Sequence, residues 1–338
     1  MRPLILSFCL AVLPLSGTAQ SQPEVVARVV DQHVLPGFAA LESETAVLAD
    51  LAIRDCNPFS SALRRAYGTA FDAWIRVSHL AFGPLEDENR LFALSFWPDE
   101  RGMTPRSLER LILANDFAVE SQQEFATVSV AARGFYALEF LLYDQRIIST
   151  GSDEYRCALV QAVTRDIHQT AQELDLAWRT GFADLMRNAG DNDRFHSADE
   201  ALRTLLGGLN HGLEYTIDLR LGRPLGTFEA PRPLTAEARR SGRSLRHVLL
   251  ALQSLDQMTA LMAPDKDGVA ERLAALFASA ITRAQLLDDP VFVSVTEPEG
   301  HLRIEDLQRR VSDIHDAVQA DLIPALGVGA GFNALDGD

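Results

Sequence analysis

Apolar residues recur every three or four positions along most of the chain, the spacing that places them on one face of an α-helix. The pattern covers residues 25–53, 60–82, 108–143, 155–186, 198–221, 236–262, 269–287 and 302–322. Pro36 and Gly37 interrupt the first of these segments. Residues that favour β-strands alternate over no useful length, with the possible exception of 291–295. The pattern predicts an all-α fold.

Polar breaks rich in glycine, proline or asparagine separate the predicted helices, and the most linker-like break is residues 188–193. We therefore predict two helical-bundle domains, residues 20–190 and residues 195–338, each of ordinary size for a bundle. The C-terminal tail, residues 327–338, is rich in glycine and too short to pack alone. We expect this tail to fold back onto the bundles.

The N-terminus has the pattern of an export signal. Arg2 precedes an apolar run over residues 4–15, and small residues follow at 17–19. The run is shorter than the roughly 20 residues that a transmembrane helix needs. We predict a signal peptide over residues 1–19 and a location in the periplasm or cell envelope, with an ordinary buried N-terminal helix as the alternative. No transmembrane segment is expected in the mature chain.

Removal of residues 1–19 leaves two cysteines, Cys56 and Cys157. In an oxidising envelope the simplest expectation is a disulfide between them, and two unpaired buried thiols are the alternative. The formal charge of −16 repels nucleic-acid phosphates and anionic lipid, so we expect no nucleic-acid partner. Such a surface attracts cations or a basic partner, although solubility alone also explains the charge.

The main candidate site lies in residues 133–142. Tyr136 and Glu139 are three residues apart, so their polar ends share one face of an otherwise apolar helix. A buried carboxylate is costly unless it is paired or binds a metal, so Glu139 needs a partner such as Arg133, Tyr136 or a metal ion. Gly134 is tolerable inside a helix if another helix or a ligand approaches it closely. A purely structural pair between Glu139 and an arginine is the alternative.

A second candidate is His211 with Glu214, which are also three residues apart and are followed one turn later by Asp218. Imidazole and carboxylate groups are common metal ligands, so this face could hold a metal, although chance also produces this spacing. The offset of 75 residues between Glu139 and Glu214 is consistent with a diverged duplication of the bundle. Trp97 and Asp99 could line a pocket or form a rigid loop packed on the bundle.

Four arginines recur at helical spacing in this acidic chain: Arg239, Arg240, Arg243 and Arg246. Such stripes are usually solvated or paired within the molecule, and docking of an acidic partner is the sharper alternative. The sequence contains no H-E-x-x-H, G-x-S-x-G, Walker-type or C-x-x-C-H motif. The common hydrolase, kinase and dehydrogenase chemistries therefore lack their residues.

Several motifs resemble those of the imelysin family. Gly134 and Glu139 are in register with its G-x-H-x-x-E signature, and four other stretches are also similar: residues 82–85, 96–99, 240–245 and 331–338. The resemblance covers nearly the whole mature chain. It implies two helical bundles, an envelope location and an association with bacterial iron acquisition, and the family also carries a peptidase label. The shared His and Glu of the family imply a metal-binding or ligand-binding site between helices.

Tyr136 stands where the family signature has histidine. A phenol binds metals poorly unless a strongly acidic cation such as ferric iron deprotonates it, which argues against a zinc peptidase site. We expect a ligand site formed by six residues: Arg133, Gly134, Tyr136, Glu139, Trp97 and Asp99. The expected metal, if one is bound, is iron or another divalent or trivalent ion, with four candidate ligands: Glu139, Tyr136, His211 and Glu214.

Together these features predict a non-catalytic periplasmic protein that binds iron, or an iron-linked ligand or partner, near Glu139. No catalytic residue is assigned. One alternative is a metallopeptidase of the imelysin type. The other is a structural or adaptor protein that docks an envelope iron-transport or redox partner.

Overall fold

A computed structural model of the protein describes residues 21–264 and 267–328. The predicted signal peptide, residues 1–19, and most of the predicted fold-back tail lie outside the described residues. Every named element within the described ranges is helical, and the extended pairing there is one isolated bridge between Thr227 and Ala230. The predicted all-α fold is confirmed.

The described residues form sixteen α-helices. They are α1 (Gln22–Val29), α2 (Leu35–Arg54), α3 (Ser61–Val77), α4 (Arg90–Leu94), α5 (Met103–Ala114), α6 (Gln122–Phe125), α7 (Gly134–Tyr143), α8 (Gln145–Ile148), α9 (Asp153–Ala177), α10 (Ala183–Arg187), α11 (Ala198–Glu214), α12 (Gly222–Leu225), α13 (Ser244–Met262), α14 (Val269–Gln285), α15 (Pro298–Ala317) and α16 (Ile323–Ala325).

Four π-helical segments connect consecutive helices end to end: Val30–Val34, Trp178–Phe182, Tyr215–Leu221 and Val318–Leu322. The first explains why Pro36 does not break the N-terminal run. Pro36 lies in the first turn of α2, directly after the π-segment, where a missing backbone N–H is tolerated. A π-turn also changes which side chains share a face, and such segments are frequent at functional sites.

One long helix over residues 108–143 was predicted, and this prediction is wrong. Helix α5 ends at Ala114 because Asn115 adopts a left-handed conformation with φ of 47°. Asparagine tolerates this conformation better than most residues, which makes it a frequent helix terminator. Short turns then carry the chain to Gly134, where α7 begins.

The predicted helix over residues 236–262 begins only at Ser244. The preceding turn, residues 236–243, contains two left-handed residues, Ala238 at φ 46° and Gly242 at φ 72°. The prediction that the four arginines lie along one helix is therefore wrong, because Arg239, Arg240 and Arg243 precede α13. The possible strand over 291–295 is instead a short 3-10 turn, Val293–Thr296.

Two groups of helices form the core. Helices α2, α3, α7 and α9 pack together, and α11, α13, α14 and α15 pack together, while α3 contacts α13 between the groups. Helix α1 packs against α11 and α13, although the adjoining α2 packs against α3 and α9. The N-terminal run therefore contacts both groups. The division into two domains near residue 190 remains a prediction.

Cys56 and Cys157 form the predicted disulfide, with their Cα atoms 5.2 Å apart. It links the end of α2 to the first turns of α9. Within residues 21–264 and 267–328, each helix is too short or too polar to span a lipid bilayer.

Candidate functional site

Glu139 is buried on α7, with only 2% of its surface exposed. Its Oε1 atom accepts two hydrogen bonds from Ser241, one from the backbone N–H at 2.9 Å and one from the hydroxyl at 2.7 Å. Burial raises the pKa of Glu139, and the two bonds from Ser241 oppose that shift. The expectation that Arg133 or Tyr136 would be the partner of this carboxylate is wrong.

Arg133 pairs instead with Asp166 of α9. Its Nε and Nη2 atoms lie 2.9 and 2.8 Å from the two carboxylate oxygens, in the fork geometry that favours arginine. The pair fastens the start of α7 to α9, which is a structural role.

Gly134 begins α7 with φ of +73°, in the left-handed region that favours glycine. A Cβ atom at this position would collide with the backbone carbonyl oxygens of Ala93 and Leu94. The group that approaches Gly134 closely is therefore the backbone of α4, and Gly134 begins the helix rather than lying inside it.

Tyr136 faces a different carboxylate. Its hydroxyl donates a hydrogen bond to Glu237 Oε1, and Glu237 lies fully buried in the turn before α13. Arg220 Nε donates to Glu237 Oε2 at 2.9 Å. His247 Nδ1 lies 3.2 Å from the same oxygen without the angle of a hydrogen bond. These four side chains form the Glu237 network.

The network shifts the pKa values of its members. Burial alone would raise the pKa of Glu237, but the charge of Arg220 and the contact with His247 outweigh burial and hold that pKa at about 2. Burial, followed by the negative charge of Glu237, raises the pKa of Tyr136 well above its ordinary value. Both shifts favour a protonated Tyr136 hydroxyl that donates to an ionised Glu237.

A cavity of about 270 Å³ opens beside the Glu237 network, and we call it the inner cavity. Most of its wall is aromatic or aliphatic: Trp74, Ile75, Leu91, Phe92, Trp97, Pro98, Leu219, Ala251 and Leu255. Its polar lining comprises Ser78, His79, Ser95, His211, Tyr215, Arg220 and Glu237. Apolar walls with a few convergent polar groups are typical of small-molecule sites.

Trp97 and Asp99 have different positions. The Trp97 ring lines the inner cavity and stacks on Tyr136, with ring centroids 6.2 Å apart. The Asp99 carboxylate accepts the backbone N–H groups of Met103 and Thr104, both at 2.7 Å, and so caps α5. A ligand contact remains a prediction for both residues.

A more open cleft of about 510 Å³ shares His79 and His211 with the inner cavity, and we call it the outer cleft. Glu214 is exposed and lies 3.5 Å from His315 Nε2, away from the Glu237 network. Among the residues that the structure describes, no group of three or more His, Cys, Asp or Glu side chains is arranged to hold a metal. The predicted four-ligand metal set is therefore not brought together.

The arginine cluster is largely paired within the molecule. Arg240 Nε lies 2.8 Å from Asp144, while Arg243 and Arg246 both pair with Asp72. These contacts support the intramolecular interpretation for these three side chains and join the turn before α13 to α3 and α8.

Arg220 and Glu237 were not among the predicted site residues. The only indication in the sequence was that Arg220, a charged residue, lies at the end of the periodic apolar segment 198–221. Its partner Glu237 lies 17 residues further along the chain. The contact of His33 with His79 was also not predicted, and His79 lines both cavities. Burial lowers the pKa of His33 to about 4, and burial lowers that of His79 well below its ordinary value, so both rings are neutral at pH 7.

Comparisons with known proteins agree with this architecture. The imelysin family model matches residues 34–318. Iron-regulated protein A of Synechococcus elongatus is 23% identical over 320 residues, which cover 87% of this chain and 84% of that protein.

Two solved structures share the fold. An imelysin-like protein from Psychrobacter arcticum superposes with a TM-score of 0.75 at 20% identity, covering 93% of this chain and 98% of that one. A putative iron-regulated protein A precursor from Parabacteroides distasonis gives a TM-score of 0.73 at 14% identity, covering 90% and 95%.

Proposed function

The chain belongs to the imelysin family, whose model matches residues 34–318, and from this premise we propose that it binds an iron-linked organic ligand and catalyses no reaction. The family and the two relatives named iron-regulated protein A suggest an iron-related role. The ligand occupies the inner cavity beside Glu237, not the surroundings of Glu139.

The observation that carries the proposal is the buried Glu237 network at the wall of an apolar cavity. Removing Arg220 and Glu237 from water is costly, and well-packed apolar residues would often be at least as stable. A charged pair at a cavity wall offers a ligand both a donor and an acceptor. Trp97 and Tyr215 add aromatic surface on which a flat ligand can stack.

A bare metal ion fits these residues poorly. The carboxylate of Glu237 is already neutralised by Arg220, whose positive charge repels a cation. The Tyr136 hydroxyl is bonded to Glu237, and Glu139 is bonded to Ser241. We therefore propose that iron reaches the inner cavity inside an organic chelate.

The metallopeptidase alternative requires a metal held by at least three protein ligands and an activated water. It remains untested, and chelator-sensitive cleavage of an unfolded protein substrate would support it. An adaptor role for the arginine cluster also remains untested, although the intramolecular pairs leave less of its charge for a partner.

We also propose that the mature protein works in the cell envelope. The disulfide between Cys56 and Cys157 supports this location, because such bonds persist in oxidising compartments. The expected result is an intact mass, from an envelope fraction, that begins at Gln20 and contains the disulfide. Recovery of the unprocessed chain with reduced cysteines from the cytoplasm would contradict the proposal.

Binding is tested by equilibrium dialysis against ferric citrate, a ferric hydroxamate chelate and a ferric catecholate chelate, each beside its iron-free chelator. Ser95→Leu places extra volume in the inner cavity, and Ser43→Leu makes the same change on the exposed face of α2. We expect at least one chelate to bind with a Kd well below about 1 mM, and Ser95→Leu to weaken it about tenfold or more. No binding, or equal binding by both variants, would refute the proposal.

A further inference from the structure

Helix α15 and the π-helical segment that follows it run antiparallel to α11. His315 Nε2 of α15 lies 3.5 Å from Glu214. One turn later, Gln319 donates a hydrogen bond to Asn210 Oδ1 at 2.9 Å. Four residues forward along one segment thus correspond to four residues back along the other. The chain after Gln319 is therefore directed towards the N-terminal half of α11.

Beyond these contacts, the same side of α11 borders the outer cleft. Gly207 lies three residues before Asn210, and Arg203 lies four residues before Gly207, so the three share one side of the helix. Both Arg203 and Gly207 line the outer cleft. Gly207 is exposed, and no atom of the described residues lies within 4 Å of a Cβ placed on it. This side of α11 is therefore open, although glycine weakens a helix relative to alanine.

The last residue described at this end of the chain is Val328, and the sequence continues through residues 329–338, which we call the tail. Gln22 of α1 donates a hydrogen bond to the carbonyl of Leu326 at 3.1 Å, and α1 packs against α11. The part of α11 that lines the outer cleft, residues 200–211, is about 17 Å long. Ten extended residues span up to about 33–36 Å, so the tail is long enough to cross the cleft.

The composition of the tail matches the walls of the outer cleft. The tail begins with three small residues, 329–331, which Phe332 follows. Phe82 and Phe195 form apolar parts of the cleft wall, and Gly207 leaves room for small residues to approach the helix closely. The tail therefore supplies small residues and an aromatic ring where the cleft is bare and apolar.

The charges of the cleft do not oppose the tail. The tail carries two carboxylates, Asp336 and Asp338, and no basic residue. The cleft presents Arg194 and Arg203 beside one carboxylate, Glu200. Both arginines have partners of their own, but these pairs are partly exposed and therefore weak. A guanidinium has five N–H donors, so each can also bond a carboxylate of the tail.

We propose that the tail docks in the outer cleft of its own molecule, with residues 329–331 against Gly207 and Phe332 against the apolar wall. A segment tethered to its site has an effective concentration in the millimolar range, so even weak contacts are occupied. The docked tail lies beside His79 and His211, which line both the outer cleft and the inner cavity. The proposal concerns the outer cleft and does not depend on ferric chelate binding in the inner cavity.

Paramagnetic NMR on the chain from Gln20 onward tests the docking. A nitroxide is attached through Asn333→Cys, and the introduced cysteine is the only free thiol, because Cys56 and Cys157 form the disulfide. We expect the nitroxide to broaden the amide signals of Arg203–Gly207 and to leave those of α5 unchanged. Equal broadening of both regions, or none on α11, would overturn the proposal.

Two further substitutions test the contacts themselves. Phe332→Ala should lower the equilibrium constant of docking about tenfold or more, because the aromatic side chain loses its burial. Gly207→Leu fills the bare side of α11 with a residue that favours helix, and it should also reduce the broadening. The matched control is Gly181→Leu, since Gly181 is another helical glycine with no described atom within 4 Å of an added Cβ. Full broadening in both Phe332→Ala and Gly207→Leu would contradict the proposed contacts.

A mixed sample separates docking within one molecule from docking between two. Nitroxide-bearing chains of natural isotope composition are combined with nitrogen-15 chains that lack the nitroxide. We expect no broadening of the nitrogen-15 signals. Broadening of the Arg203–Gly207 amides in this sample would mean that a second copy supplies the tail, and it would overturn the proposal.

Discussion

Glu237 and Glu139 are both buried carboxylates, yet their surroundings shift their pKa values in opposite directions. Glu237 meets a guanidinium, an imidazole and a phenol hydroxyl, which hold it ionised. Glu139 meets the backbone N–H and hydroxyl of Ser241, and burial dominates. A buried carboxylate therefore does not by itself mark a binding site.

The two carboxylates also differ in what lies beside them. Glu237 lines the inner cavity, whereas Glu139 joins α7 to the turn that precedes α13. The cavity beside the first carboxylate supports the ligand site proposed there, whereas the contacts of the second are structural.

Arg220→Met should have the largest effect on stability. It leaves Glu237 buried without its cation, which should lower the free energy of unfolding by about 3–5 kcal/mol. The double variant, with both Arg220 and Glu237 replaced by methionine, should recover much of that loss. Urea denaturation at pH 7 measures both. The control is Arg203→Met, which opens a half-exposed pair with Asp199 and should cost less than about 1 kcal/mol. Equal losses for Arg220→Met and Arg203→Met would contradict the role of the network.

Gly134→Ala should cost about 2–4 kcal/mol, because it combines an unfavourable positive φ with overlap onto backbone oxygens of α4. It disturbs the helix that carries both Tyr136 and Glu139. Gly102→Ala isolates the cost of the positive φ, because Gly102 has φ of +62° and no atom lies within 4 Å of the added Cβ. This control variant should cost about 1 kcal/mol. Thermal unfolding that ranks the two variants equally would show that the close approach is unimportant.

Tyr136→Phe should cost about 1.5–3 kcal/mol, because the lost hydrogen bond has a charged acceptor. Tyr155→Phe is the matched control, since its hydroxyl donates to the neutral carbonyl of Asp116 at 2.9 Å, and it should cost about 0.5–1.5 kcal/mol. Chemical denaturation of both variants at pH 7 is the measurement. A smaller loss for Tyr136→Phe than for Tyr155→Phe would argue against an ionised Glu237.

Glu139→Gln should have the smallest effect, and its sign depends on pH. The folded pKa of Glu139 is raised, so the unmodified protein loses stability as pH rises above the unfolded value of about 4.5. Glutamine keeps an oxygen for both bonds from Ser241 without the charge. The variant should match the unmodified protein near pH 4 and gain relative stability towards pH 8, on the scale of about 1.4 kcal/mol per pKa unit.

Glu237→Gln should give the opposite profile. Its folded pKa of about 2 lies below the unfolded value, so Glu237 contributes stability above about pH 4.5 that is lost as pH falls towards 2. The variant should therefore be less stable than the unmodified protein at pH 7 and approach it in acid. Parallel profiles for the two glutamine variants, measured by thermal unfolding across pH, would erase the distinction between the carboxylates.

Periodicity predicted the helices that a single apolar face defines, such as α9, α14 and α15. It failed at Asn115 and over residues 236–243, where a left-handed backbone turn ends the helix although the apolar spacing continues. Such turns are stabilised by contacts with distant segments, which periodicity does not contain.

The candidate site was predicted in part. Tyr136 and Glu139 do share a face, because both contact the turn over residues 237–241, but their partners lie 101 and 102 residues away. Helical spacing identifies neighbours three or four residues apart and cannot find such partners. Arg220 escaped detection because it lies on a π-helical segment, where the extra residue changes the buried face.

The assignment of ligand binding to the inner cavity is tested most directly by one affinity measurement on two variants in parallel. The ferric chelate that binds the unmodified protein most tightly is titrated against Ser95→Leu and Glu139→Gln. We predict about a tenfold or greater loss for Ser95→Leu and an unchanged affinity for Glu139→Gln. Loss of binding in Glu139→Gln with full affinity in Ser95→Leu would contradict the account.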